Sequence, residues 1–542
     1  MGDQKTLSQR LDSQQYDRQD ILKALRGEKL PEHLGYPLIK LCTISGILHS
    51  PTFADGEAAP LRHLPEHPEF TRALNARAIM CNHIPDMDLT AHPEELPYCI
   101  WYPEIASEDT YRQLATRYPQ MRYQVARACA VGGYTGLYFE LDNILPEVGV
   151  AEEARDAGSV AIFTHIMSQP VRYKVMDDYF RTINPESPQP CHINGDTCVF
   201  SMLKRQKQKF TTPSDPDDDI SIFYDGDGFD KMTYNITEDQ GISESVPETT
   251  TLSLSTDLML HLLTSPLPAD LPAGNKDLLI LTAAFYGDID RYTRLRRPKA
   301  LEYEFFCVIR GIYHNSLFAL WWSRQYNIPE DEPFHMRSWD HIQKAITARH
   351  IMNNDLSRVL LAAERDEDDD KKSLPYLIWY PEIAKAETYK ALAHRVPEMR
   401  EACVRAAIYA GYSELFDELL LLPGVVPNRY LMAEAERTSN PQRFLSALKS
   451  RADELGIKMD SYSEVWKLVS VKDKSFLSRG NYLVKSPSVG VVVGQFFEQS
   501  AVYNGIMAET DKLELFLMAP ESWRPEEETQ VELNYEDWPL SL

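Results

Sequence analysis

Cysteine is scarce in this chain. Eight residues, Cys42, Cys81, Cys99, Cys129, Cys191, Cys198, Cys307 and Cys403, are scattered over 542 positions, and none falls in a C-x-x-C pair. That spacing excludes a disulfide-dense scaffold and fits packed thiols in a reducing compartment. Long apolar runs are missing as well, since no stretch approaches the roughly 18 residues that a spanning helix needs. The first twenty residues are polar and hold no apolar core of a secretory signal, so no export is expected and the sequon Asn235-Ile236-Thr237 reads as unglycosylated. Basic residues are in deficit: 56 Lys and Arg stand against 81 Asp and Glu, for a net charge of −25. Such a field repels phosphate, so direct binding to nucleic acid is not expected. Signature motifs of catalysis are absent too. There is no phosphate-binding G-x-x-x-x-G-K-[ST], no H-E-x-x-H, no G-x-S-x-G and no kinase set. Val489 to Gly494 lacks the third glycine of a dinucleotide loop, and Cys191, His192 and Cys198 fit no zinc spacing. No catalytic, cofactor-binding or metal-ligating residue is therefore assigned.

What is present is an internal duplication. Pro97-Tyr98-Cys99-Ile100-Trp101-Tyr102-Pro103-Glu104-Ile105-Ala106 returns as Pro375-Tyr376-Leu377-Ile378-Trp379-Tyr380-Pro381-Glu382-Ile383-Ala384. The match runs without a gap to Leu137 and Leu415, with 22 of 41 positions identical. Upstream, Ala73, Ala76, Arg77, Ile79, Met80 and Asn82 match Ala345, Ala348, Arg349, Ile351, Met352 and Asn354 at a shorter offset. The acidic run from Glu364 to Asp370 accounts for the difference as a solvated insertion.

The duplicated block reads as helices. Pro103 and Pro381 suit a first helical position, which predicts a helix from Glu104 to Tyr118 bearing Ile105, Tyr111, Leu114 and Ala115. Pro119 stops it and opens the next, whose buried stripe is Met121, Val125, Ala128 and Cys129. Gly132-Gly133 closes that helix, and Leu137, Phe139 and Leu141 begin a third. Trp101 and Trp379 read as core, because large aromatics at helical junctions pack. Short helices joined by glycine turns cannot bury their apolar faces alone and must stack on neighbours.

A second pattern follows. Arg77, Arg127, Arg310, Arg349 and Arg405 each stand five or six residues before a turn residue: Asn82, Gly133, Asn315, Asn354 and Gly411. We read these as one degenerate helix–turn–helix unit recurring at irregular steps. Leu279-Ile280-Leu281-Thr282-Ala283-Ala284-Phe285-Tyr286-Gly287-Asp288-Ile289-Asp290 resembles the core of an ankyrin repeat, without its T-P-L-H opening. With Arg310-Gly311-Ile312-Tyr313-His314-Asn315 and Ile351-Met352-Asn353-Asn354-Asp355-Leu356, it is similar to the divergent ankyrin-repeat proteins of filamentous fungi. The resemblance covers the helical halves. It implies a protein-binding scaffold of the ankyrin type, and some such proteins are transcription coregulators linked to secondary-metabolite gene clusters.

The expected fold is mainly α: a duplicated ankyrin-like helical solenoid with an acidic linker and a small strand-containing C-terminal part. Its expected divisions are a polar segment 1–34, a first half 35–200, a basic cluster and acidic linker 201–275, a second half 276–458, and an appendage 459–542 with β-prone runs and an acidic tail. Residues 211–250 are rich in Asp and turn formers. Asp225 to Asp230 departs from the calcium-loop order and reads as a solvated loop. Lys204, Arg205, Lys207 and Lys209 form the candidate nuclear localisation cluster. Arg294, Arg296, Arg297 and Lys299 make a second basic patch, expected to pair with nearby acids. Gly2 and Thr6 fit the acylation pattern, but Asp3 and the missing polybasic patch favour an unmodified terminus. The expected partner is a protein, with a transcription factor as the candidate class, in the nucleus or shared with the cytoplasm, and neither a membrane nor nucleic acid. The alternative is an enzyme whose site lies between the halves or in the C-terminal part.

Overall fold

The computed structural model describes residues 6–194 and 255–457, apart from residues 16, 18–22, 63, 179, 274–275, 298–303, 326–335 and 365–373. The protein is mainly helical. The chain divides into two compact units. The linker proper, the basic cluster at Lys204 to Lys209, Cys198 and the expected C-terminal strands all lie outside the described residues.

The first unit holds α1 (Leu7–Leu11), α2 (Pro37–His49), α3 (Pro51–Asp55), α4 (Pro68–Met80), α5 (Glu108–Arg117), α6 (Arg122–Gly132), α7 (Thr135–Glu140), α8 (Val148–Ala157) and α9 (Val160–Met167). Helix α2 packs on α4, α6 on α8, and α8 on α9. The stretch expected as a polar N-terminal segment contributes to the core instead: Ala24, Leu30 and Leu34 are buried with α2 and α4. Their sparse apolar positions carry no periodic signal. Two short antiparallel pairs follow α9, β1 (Tyr173–Lys174) with β4 (Gln189–Pro190) and β2 (Met176–Asp177) with β3 (Thr182–Ile183). The sequence predicted no strand here, because two-residue strands leave no alternation to read.

The second unit holds α10 (Thr256–Thr264), α11 (Asp277–Tyr286), α12 (Ile289–Leu295), α13 (Glu304–His314), α14 (Ser316–Ser323), α15 (Met336–Met352), α16 (Ser357–Glu364), α17 (Ala386–Arg395), α18 (Arg400–Ala410), α19 (Ser413–Leu420), α20 (Arg429–Glu436) and α21 (Pro441–Leu455). Helix α10 stands inside the stretch expected as linker and belongs to this unit, whereas residues 267–275 return to the first. Helices α11, α13 and α15 pack in series, and α18 packs on α20. The α11–α13 approach is close: a Cβ on Gly311 would stand 2.0 Å from the Ala284 carbonyl oxygen.

The duplicated blocks share their elements. Helices α5, α6 and α7 correspond to α17, α18 and α19, and Gly133 and Gly411 both end the middle helix at φ +73°, a left-handed conformation that glycine adopts without a Cβ clash. One expectation fails in both copies. Pro103 and Pro381 do not open a helix; each follows a cis peptide bond, and the helices start at Glu108 and Ala386. In the first copy the start is set by Ser107, whose hydroxyl accepts from Thr110 N at 3.3 Å. Side-chain ties match as well. Asn82 accepts from Ser107 N and the Thr110 hydroxyl at 2.7 and 3.0 Å, and Asn354 accepts from Lys385 N and the Thr388 hydroxyl at 2.7 and 2.8 Å. Trp101 and Trp379 are both fully buried, as expected of core.

Candidate functional site

The recurring arginines are the feature that joins sequence pattern to structure. Arg77, Arg127, Arg349 and Arg405 are buried, which is rare for a side chain of permanent charge. Three of the five act alike. Arg77 donates to the Leu48 carbonyl at 2.9 Å, Arg310 to that of Phe285 at 3.1 Å, and Arg349 to that of Tyr313 at 2.8 Å. Leu48, Phe285 and Tyr313 are each the penultimate residue of the helix packed against the arginine's own helix. A helix end leaves its last carbonyls without intrahelical donors and carries partial negative charge. A guanidinium satisfies both. The free end of Arg77 pairs with Glu104 at 2.7 Å, and that of Arg349 with Glu382 at 2.9 Å, at equivalent places in the two copies.

Arg127 and Arg405 are held differently, by buried acids. Arg127 donates to Asp178 at 2.5 and 2.9 Å and to Glu153 at 3.1 Å. The Tyr98 hydroxyl donates to the same Asp178 oxygen at 2.6 Å, and the Trp101 ring lies 5.0 Å from the guanidinium carbon. Glu147 adds a further buried carboxylate, accepting from Val150 N at 2.7 Å at the start of α8. In the second copy Arg405 donates to Glu434 at 3.1 Å and to the Tyr376 hydroxyl at 3.2 Å, with the Trp379 ring at 5.1 Å. Tyr98 and Tyr376 are equivalent in the duplication, as are Trp101 and Trp379.

The titration of the first cluster follows from its geometry. Burial alone would raise the Asp178 carboxyl, but the charge and hydrogen bonds of Arg127, aided by Tyr98, hold it below the ordinary carboxylate range. Burial pushes the Glu147 carboxyl up against the opposing pull of Arg127 and the amides of Val150 and Gly149. Burial, then Asp178, drive the Tyr98 phenol well up. These side chains are closed from solvent, so the cluster compensates charge and fixes the β2–β3 turn against α6. It offers no approach to a substrate.

An open surface groove of about 780 Å³ lies beside α5, lined by Asn82, His83, Asp109, Arg112 and Arg117 among others. Its cations are paired within the unit: Arg112 with Glu108 and Glu140, Arg117 with Asp86. Cys191 donates to the His192 carbonyl, and His192 stands 3.6 Å from Asp270. Among the described residues no group of three potential metal ligands occurs. In the second basic patch, half-buried Arg296 lies over the rings of Trp321, Trp322 and Tyr292. No helix among the described residues is long and apolar enough to cross a membrane. The arginine spacing was visible in the sequence. The carboxylates that meet Arg127 were not, because Glu153 and Asp178 sit in no motif and are brought in by the helix and turn that follow.

Residues 101–202 match a family described as the YKP1 C-terminal domain. Over 101 residues the chain is 28% identical to a protein of Kluyveromyces lactis named "Uncharacterized killer plasmid pGKl-2 protein 1", a match spanning 19% of this chain and 42% of that relative. No solved structure matches. The matched segment holds α5 to α9, both strand pairs and the residues Trp101, Arg127, Glu147, Glu153 and Asp178.

Proposed function

We propose that the protein is an ankyrin-like helical-repeat scaffold that binds another protein, and that it acts as a transcription coregulator of a fungal secondary-metabolite gene cluster. The observation that carries the scaffold reading is the repeated stitch from Arg77, Arg310 and Arg349 to the end of the neighbouring helix. One contact recurring between alternate, mutually packed helices supports a stack whose units differ mainly in their exposed faces, the arrangement that repeat proteins use for recognition. The self-paired charges of the groove beside α5 favour a binding surface over a reactive site. Net charge −25 opposes docking on duplex phosphate, so recognition of a protein, a transcription factor in this reading, fits better than direct contact with DNA. The basic cluster Lys204, Arg205, Lys207 and Lys209 suits an import receptor.

The test has two arms. Affinity capture from the native host, followed by reconstitution with the purified candidate partner, should give a saturable complex; failure of every captured protein to bind directly would refute the scaffold. Changing Lys204, Arg205, Lys207 and Lys209 to Ala in a tagged protein should remove it from nuclei; unchanged distribution would refute import through this cluster. Tight, salt-sensitive binding of the purified protein to duplex DNA would overturn the charge argument.

A further inference from the structure

The two units carry an equivalent helix with different outer faces. Helix α3 follows the Leu48 carbonyl that Arg77 reaches, and α14 follows the Tyr313 carbonyl that Arg349 reaches. Each opens on a capping side chain: Ser50 accepts from Phe53 N at 3.3 Å, and Asn315 accepts from Leu317 N and Phe318 N at 3.0 and 3.2 Å. Counted from these caps, Phe53 and Ala54 match Phe318 and Ala319, and all four are buried. The outer positions do not match. Exposed Thr52 and Asp55 of the first unit stand where the second has Leu317 and Leu320, 67% and 39% exposed. The fold therefore does not require leucine at either place. Leu317, Leu320, Trp321 and Arg324 are spaced i, i+3, i+4 and i+7, so they lie along one face of α14. Trp321 is half-buried, stacks on buried Phe318 with ring centroids 5.9 Å apart, and has the Arg296 guanidinium, from the end of α12, 5.7 Å from its ring. Arg324 is exposed. The face is an apolar stripe with one cation at its side and another at its C-terminal end.

We propose that this face of α14 docks an acidic amphipathic helix of a partner protein. The inference rests on the scaffold reading above and narrows its partner by chemistry. Apolar side chains at matching helical spacing on the incoming segment cover Leu317, Leu320 and Trp321, removing from water a stripe that the fold itself leaves in it. Asp or Glu beside them meets Arg296 and Arg324 in charge-assisted contacts. The net charge of −25 acts against any acidic partner at long range. At physiological salt that field is screened beyond about 8 Å, so the arginines at the contact decide the sign. Aromatic and arginine side chains are also the types that carry most binding energy in interfaces, and this face combines both. A second copy of the chain is the competing occupant.

The probe is a fluorescein-labelled helical peptide with Leu at i, i+3, i+4 and i+7 and Glu at its other positions, titrated by anisotropy into the full chain at physiological salt. Binding should be saturable. It should weaken at least about 10-fold in the double variant Leu317→Thr, Leu320→Asp, which installs the first unit's residues, and in Arg324→Glu. Both variants change exposed side chains and should melt with the parent. The same peptide with Lys for every Glu should bind at least about 10-fold more weakly than the acidic one. No saturable binding of the acidic peptide, equal affinity in the double variant, or tighter binding of the Lys peptide would overturn the proposal. So would sedimentation that shows the parent as a dimer and the double variant as a monomer, since a second copy would then be the occupant. The scaffold reading fails separately. A captured partner that binds parent and double variant equally removes this surface and leaves the scaffold standing, whereas failure of every captured protein to bind removes the scaffold itself.

Discussion

Replacing Arg349 by methionine isolates the stitch between two packed helices, α13 and α15. Methionine keeps an unbranched stem of similar reach, so the packing of the aliphatic portion is largely retained and the polar contacts are what is lost. Those contacts are the bond to the Tyr313 carbonyl at 2.8 Å, two bonds to the Ser316 hydroxyl at 2.9 and 2.8 Å, and the ion pair with Glu382 at 2.9 Å. The carbonyl lies at the end of α13 and is buried, so stranding it costs about 1 to 3 kcal/mol. Glu382 is 58% exposed, and its pair is worth at most about 1 kcal/mol in water. The expected loss is therefore about 1 to 4 kcal/mol, the larger share of it from the stranded carbonyl. Glu382→Gln should cost under about 1 kcal/mol by the same reasoning. Urea unfolding followed by tryptophan fluorescence measures both, with unchanged m-values required for a valid comparison. If Arg349→Met proves as mild as Glu382→Gln, the arginine is a surface pair with a buried stem, and the stitch has no energetic content. Arg77→Met is the control in the first unit and should behave alike, since it reaches the Leu48 carbonyl and Glu104 in the same way.

Other outcomes follow from the same contacts. Trp101→Ala and Trp379→Ala should each cost about 3 to 5 kcal/mol in the same unfolding assay, as for other buried large aromatics, and a parent-like melt for either would remove it from the core. Gly311→Ala should destabilise α11 against α13, seen as faster exchange of both helices, because its Cβ meets backbone that has no rotamer to yield; equal protection in parent and variant would contradict the close approach. Glu434→Gln leaves the buried Arg405 cation short of its carboxylate and should cost about 3 to 5 kcal/mol in urea, far more than Glu382→Gln. Asp178 has its carboxyl held low, so its stabilising share is present above the unfolded value of about 3.9 and is lost as pH falls through the lower folded value. Asp178→Asn should accordingly flatten the acid limb of a stability–pH profile below about pH 4, and an unchanged limb would place the acid response elsewhere.

How far the sequence carried can be judged element by element. The duplicated helices were legible because apolar spacing, proline and glycine agree: Met121, Val125, Ala128 and Cys129 are all buried, and Gly133 ends the helix in the left-handed region. The entry to that block is not legible from proline alone. Proline before a run of helix formers resembles a first helical position, yet the bond preceding Pro103 is cis and Ser107 holds the better capping side chain. The N-terminal segment carries no local signal of its packing, because Ala24, Leu30 and Leu34 are buried one at a time in the core cluster of α2 and α4. Helix α10 was hidden beside an acidic, turn-rich stretch whose composition dominated the reading. The strand pairs after α9 rest on Asp178 and on scattered apolar side chains packed on the core, Val175, Met176, Ile183 and Ile193 among them, rather than on alternation.

The two ways of holding a buried arginine bear on why the block was duplicated whole. Where Arg77, Arg310 and Arg349 sit, the neighbour is another helix end, and its carbonyl supplies the acceptor at no cost in buried charge. Such a joint can be repeated, since each new helix brings its own terminal carbonyls. Arg127 and Arg405 instead need carboxylates from the helix packed beyond the next one, Glu153 on α8 and Glu434 on α20, both fully buried. A buried acid is tolerable only opposite its cation, so these joints are specific to one pair of helices and do not propagate. Each copy thus carries one extendable joint, Arg77 or Arg349, followed by one that terminates, Arg127 or Arg405. The insertion read from the sequence, the acidic run from Glu364 to Asp370, falls between these two joints in the second copy. A change at Glu153 or Glu434 cannot be absorbed by sliding one helix along the other, whereas a change at Glu104 or Glu382 can, because water takes the place of the exposed acid.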